Sequence, residues 1–122
     1  MTKDEFIEWM LYIMKRSPAR DSGEVTYEYL REHMARLLVQ EPDERKVALD
    51  ALRSWLALRR EPESMAAAML AAGLGFIELR EDLHRLLEDI EAGRSNFNPR
   101  MKAYYAERAH NYLTALYNIV PE

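Results

Sequence analysis

Two Glu-x-x-His spacings carry the most chemistry in this chain: Glu81 with His84, and Glu107 with His110. Residues three apart on a helix share a face, so each spacing sets a carboxylate beside an imidazole. Two such pairs plus two further glutamates form the ligand set of di-iron and di-manganese bundles. Glu5, Glu8, Glu28 and Glu32 are available for the remaining positions. A bundle site needs its ligands to face inward. His84, however, falls with Glu81, Glu88 and Glu91 opposite a leucine stripe, and His110 is flanked by Ala103, Ala106, Glu107 and Thr114. The placement predicts solvated surface charge and no cofactor. A metal-binding bundle through Glu81, His84, Glu107 and His110 is the alternative reading.

Other reactive constellations are missing. There is no Cys, which excludes disulfides, thiolate metal sites and a cysteine nucleophile, and fits a reducing compartment. Ser17, Ser22, Ser54, Ser64 and Ser95 lack the glycine-elbow context of an activated serine. Gly73-Leu74-Gly75 has neither the third glycine nor the preceding strand of a phosphate-cradling loop. With Gly23 at the sixth position of a calcium loop, Pro18 occupies the first and Tyr29 the twelfth. Calcium needs carboxylates at both, so this segment reads as a turn entering a helix. The chain is expected not to be an enzyme.

Charge and aromatic placement point instead to protein contact. Seventeen Lys and Arg against 21 Asp and Glu give a net charge of −4, which argues against a nucleic-acid binder and favours a basic partner. Basic clusters at Lys15, Arg16 and Arg20, at Arg59 and Arg60, and at Arg94, Arg100 and Lys102 all fall near helix ends, and cations at a C-terminal end suit the macrodipole. All seven tyrosines lie in the first 29 or the last 19 residues. Tyr and Met are enriched at interface cores. Trp9 and Tyr12 on a first helix, with Tyr104, Tyr105 and Tyr117 on a last one, are therefore the candidate partner-binding residues.

Six helical segments must position these groups, and proline and glycine mark their limits. Thr2 and Glu5 form a capping box ahead of an apolar run from Phe6 to Met14 that has almost no polar side, so the first helix, ending near Arg16, is expected to be enclosed or covered by a partner. The second spans roughly Thr26 to Gln40, with Leu30, Met34, Leu37 and Leu38 on one face, although Val25, Tyr27 and Tyr29 alternate as in a strand. Pro42 opens the third, whose stripe is Val47, Ala51, Leu52, Trp55 and Leu56, with Arg59 and Arg60 in its last turn. Pro62 opens an alanine-rich fourth helix over 63–72, whose small side chains admit a close neighbour. The fifth, 77–92, carries Leu79, Leu83, Leu86, Leu87 and Ile90. Asn98 caps the sixth and Pro99 starts it, with an end near Val120. Gly73, Gly75 and Gly93 are placed for left-handed helix ends. The expected class is all-α, five to six helices in a single domain over 1–122.

Glu61 to Asp89 reads as a Pro-initiated alanine-rich helix, a Gly-Leu-Gly break and a leucine-striped helix, and Pro99 starts another helix 37 residues after Pro62. In Ala66-Ala67-Ala68-Met69-Leu70-Ala71-Ala72-Gly73-Leu74-Gly75 and Leu83-His84-Arg85-Leu86-Leu87-Glu88-Asp89, this stretch resembles short bacterial HEAT-type helical repeats, with 45–58 as the helix of a preceding unit and the likeness extending over 43–120. The resemblance implies a short helical stack and a binding scaffold without chemistry of its own; a compact multi-helix bundle is the other arrangement expected of these six segments. The longest uncharged run, Met65 to Ile77, is too short to span a bilayer, and the polar opening Thr2-Lys3-Asp4-Glu5 does not read as a signal peptide. The combined expectation is a cytoplasmic, non-catalytic interaction module, an adaptor subunit or small neutralising protein, with a homodimer as one form of association.

Overall fold

A computed structural model describes residues 1–19 and 21–119. Among them the chain is all-α, with no strand: α1 (Lys3–Lys15), α2 (Gly23–Gln40), α3 (Arg45–Ala57), α4 (Glu61–Leu74), α5 (Arg80–Glu91) and α6 (Lys102–Tyr117). Short 3-10 turns, Pro42–Glu44, Ile77–Leu79 and Pro99–Met101, lead into α3, α5 and α6. Two expected features, Arg20 of the first basic cluster and the helix end near Val120, lie outside the described residues.

Local chemistry explains the boundaries. The Thr2–Glu5 capping box is complete in both directions, and the hydrogen bonds from Thr2 hold the Glu5 carboxyl below its usual pKa. Ser22 Oγ accepts from the Val25 amide at 3.3 Å, so α2 begins at Gly23 and absorbs the strand-like Val25, Tyr27 and Tyr29 into helix. Pro42 and Pro99 each start a 3-10 turn, and the Asn98 side chain accepts from the Arg100 amide at 3.0 Å. Gly75 (φ +69°) and Gly93 (φ +76°) take the left-handed backbone, whereas Gly73 stays inside α4. The third helix is shorter than expected: it ends at Ala57, and Arg59 itself turns left-handed at φ +53°. Its guanidinium reaches back to the Leu56 carbonyl at 2.7 Å and out to Asp89 at 2.8 Å, interactions that hold a conformation otherwise costly for a residue with a Cβ.

The contacts group into two compact units, Met1–Ala51 and Leu52–Glu122, divided within α3. In the first, α1 packs on α2, and α2 on the Pro42–Glu44 turn. Phe6, Met10, Ile13, Leu30 and Met34 are buried, and Phe6 and Trp9 lie 5.4 Å apart. Buried Thr26 donates to Ser17 Oγ at 3.2 Å and lies 3.3 Å from the Ala19 carbonyl, fixing the α1–α2 loop. α1 is not enclosed, because Leu11 and Tyr12 are exposed.

In the second unit α6 packs along both α5 and α4. α4 is apolar on nearly every side: Ser64, Met65, Ala66, Ala67, Ala68, Leu70 and Ala71 are buried. Its alanines let α6 approach closely, as the composition predicts. The one polar group among them, the Ser64 hydroxyl, lies 2.9 Å from the Trp55 carbonyl and 3.2 Å from that of Leu56, and so satisfies the end of α3. Every member of the α5 leucine stripe is buried, and each such side chain contributes about 1.5–3 kcal/mol of transfer free energy. Tyr105, Ala109, Leu113 and Leu116 form the matching face of α6. Arg80 at the start of α5 donates to the Leu116 carbonyl at 2.9 and 3.2 Å and to that of Ile119 at 3.2 Å, capping the far end of α6.

Candidate functional site

The two Glu-x-x-His pairs sit on exposed helix faces. His84 Nδ1 lies 3.2 Å from Glu88 Oε1, and Glu81 lies 3.7 Å from Arg85, both contacts along the outside of α5. Glu107 and His110 are exposed on α6. Among the described residues no three His, Asp or Glu side chains come together as a metal site requires. On α5 the leucine stripe, rather than the charged side, turns inward. The third histidine, His33, is engaged locally, with Nδ1 2.9 Å from the Tyr29 carbonyl and its ring 4.4 Å from that of Tyr29.

The five candidate aromatics divide by exposure. Tyr12 (56%), Tyr104 (47%) and Tyr117 (57%) are open to solvent, Trp9 is half-buried, and Tyr105 is buried at 8%. Tyr105 therefore does not belong to an exposed set. It heads the inward stripe of α6 and packs edge-on against Phe97 at 5.1 Å. Each exposed ring is held by an arginine. Arg16 lies 5.3 Å from the Tyr12 ring and donates to its hydroxyl at 2.9 Å. Arg80 lies 5.1 Å from the Tyr117 ring. Arg108 bridges Tyr104 and Tyr112, 5.5 and 5.7 Å from the two rings, and donates to the Tyr112 hydroxyl at 2.8 Å.

The ladder Tyr104–Arg108–Tyr112, at spacings of four, runs up one flank of α6, with exposed Met101 in the turn below it. Sequence reasoning missed Arg108 as the residue that orders this flank. The i, i+4 spacing to two tyrosines was the available signal. It also missed a cleft of about 300 Å³ where the end of α5 meets the start of α6. Buried Ile90 and Phe97 form its apolar side, and Ser95, Asn98 and exposed Lys102 its polar side. A smaller cleft of about 150 Å³ lies between α3 and α5. Its cations already have carboxylate partners: Arg53 with Asp82 (3.3 Å), Arg85 with Glu81 (3.7 Å), and Arg59 with Asp89 (2.8 Å). Arg94 also reaches Asp89, at 3.0 Å, and the hydrogen bonds from Arg59, then Arg94, hold the Asp89 carboxyl below its usual value.

Among the described residues no helix is long and apolar enough to cross a membrane. No protein-family model, curated protein or solved structure matches this chain.

Proposed function

We propose that the chain is a non-catalytic protein–protein interaction module, an adaptor subunit or small neutralising protein, whose main contact surface is the Tyr104–Arg108–Tyr112 flank of α6. The observation that carries this reading is the holding of exposed tyrosine rings by arginine. Tyr and Arg are the side chains that dominate interface energetics when desolvated. A ring already fixed by a guanidinium loses less conformational freedom on association, so less of the contact energy is spent on ordering it. Tyr12 with Arg16 and Tyr117 with Arg80 repeat the arrangement and are the secondary contacts of the same reading. The resemblance to HEAT-type repeats read from the sequence implies a scaffold of the same kind.

The test replaces Tyr104 and compares association with stability. A photo-crosslinking residue at position 104 should capture a partner, and Tyr104→Ala should weaken that association about tenfold or more, as loss of a central aromatic does. His84→Ala, on the outside of α5, should leave it unchanged. A strictly monomeric chain with no crosslinked partner, in which Tyr104→Ala alters only the thermal midpoint, would sink the proposal.

A further inference from the structure

The last stretch of the chain is charged oppositely to the rest. From Ala92 to Glu122 there are four cations, Arg94, Arg100, Lys102 and Arg108, against two carboxylates, Glu107 and Glu122; residues 1–91 hold 13 cations and 19 carboxylates. Arg53, Arg59, Arg60, Arg85 and Arg94 are committed to carboxylates at 2.8–3.7 Å. Arg100 and Lys102 differ: both are exposed, and neither has a carboxylate partner among the described residues. They belong to the turn and the helix start that border the 300 Å³ cleft, and Lys102 lines it.

We infer that this corner binds an acidic segment of another protein, which seats one apolar side chain against Ile90 and Phe97 while its carboxylates pair with Lys102 and Arg100. The inference rests on the interaction-module reading and names its partner. The net charge of −4 points to a basic partner, but a docking segment meets local charge. Charges farther away than the screening length of about 8 Å at physiological salt contribute little. The cleft volume stands at the lower end of ligand pockets, which suits a single leucine- or aromatic-sized anchor. A polyanionic nucleic acid fits less well. Two uncommitted cations neutralise few phosphates.

The experiment titrates the full chain with three probes: a short synthetic peptide of Asp and Glu around one central Leu, the same peptide with that Leu replaced by Ser, and a single-stranded oligonucleotide of similar length. The Leu peptide should bind with micromolar affinity and shift the amide resonances of residues 90–102. The Ser peptide should bind about tenfold more weakly, matching the loss of one buried apolar anchor. Raising the salt should weaken the Leu peptide, and R100E with K102E should weaken it about tenfold or more without changing the far-ultraviolet circular dichroism. K102M, which keeps the stem and removes the charge, should give a smaller loss. Equal binding of both peptides, indifference to R100E with K102E, preference for the oligonucleotide, or self-association through this corner in place of peptide binding would each overturn the inference. The two proposals separate cleanly. If the partner identified by crosslinking at position 104 no longer co-purifies with the Tyr104→Ala chain but still does with R100E and K102E, the module stands and the acidic partner falls. If neither variant affects co-purification, both fall.

Discussion

Tyr104 and Tyr105 are neighbours in sequence and belong to different faces of one helix. Tyr105 heads a stripe continued by Ala109, Leu113 and Leu116, all buried against the rest of the second unit. Tyr104 starts the outer ladder with Arg108 and Tyr112. The two rings even touch, 5.2 Å apart and nearly perpendicular. Their chemistry is identical, and only helical register separates them. One position along the helix, about 100° of rotation, converts a core residue into a surface one. The inner face is apolar with one phenol, while the outer flank alternates aromatic and guanidinium. The first composition holds a helix in place; the second leaves it able to hold something else.

Substitutions can break this contrast in order of size. Leu113→Ala on the inner face should cost about 2–4 kcal/mol, through lost transfer energy and the cavity left behind, and lower the thermal midpoint accordingly. Gly75→Ala should cost about 1–2 kcal/mol. A Cβ there meets Ile119 Cδ1 at an ordinary 3.5 Å, so the penalty comes from the left-handed backbone at φ +69°. Tyr104→Ala should change stability by no more than about 0.5 kcal/mol, as surface replacements do, and act on association alone. Should it destabilise the fold as Leu113→Ala does, the division of α6 into two faces is wrong. The smallest effect concerns Asp89. Its folded pKa lies below the usual 3.8, so the ion pairs with Arg59 and Arg94 add stability above that value, and the contribution is lost as pH falls through the folded pKa. Wild type should therefore be modestly more stable than Asp89→Asn at neutral pH, with the gap closing in acid. A gap that is constant with pH would remove the ionic account.

Periodicity and caps carried most of the fold. The Thr2–Glu5 box, the Asn98 cap and the buried stripe from Leu79 to Ile90 were all readable, because each is a pattern within one short segment of the chain. The end of α3 was not. Placing Arg59 and Arg60 in a last helical turn followed macrodipole logic, but the chain breaks at Ala57 because the Ser64 hydroxyl and the Arg59 guanidinium meet the α3 carbonyls first. Ser64 lies nine residues from the Trp55 carbonyl it meets, and Asp89 thirty from Arg59, separations that local patterns do not reveal. The candidate site was legible in residue type but not in register. Aromatic enrichment selected Tyr104 and Tyr105 together, and only the packing of α6 on α4 and α5 separates them. The oppositely charged final stretch was countable in the sequence, yet the whole-chain sum concealed it.

Arg80 ties the end of α6 to the beginning of α5, across 36 and 39 residues of chain. Helix ends ordinarily fray, and their amides exchange with solvent through small local openings. Here the last turn cannot unwind without withdrawing its carbonyls from a guanidinium anchored on a different helix. Amide exchange near Thr114 to Tyr117 should thus follow the opening of α5, making the end of α6 part of the cooperative unit it would otherwise leave first.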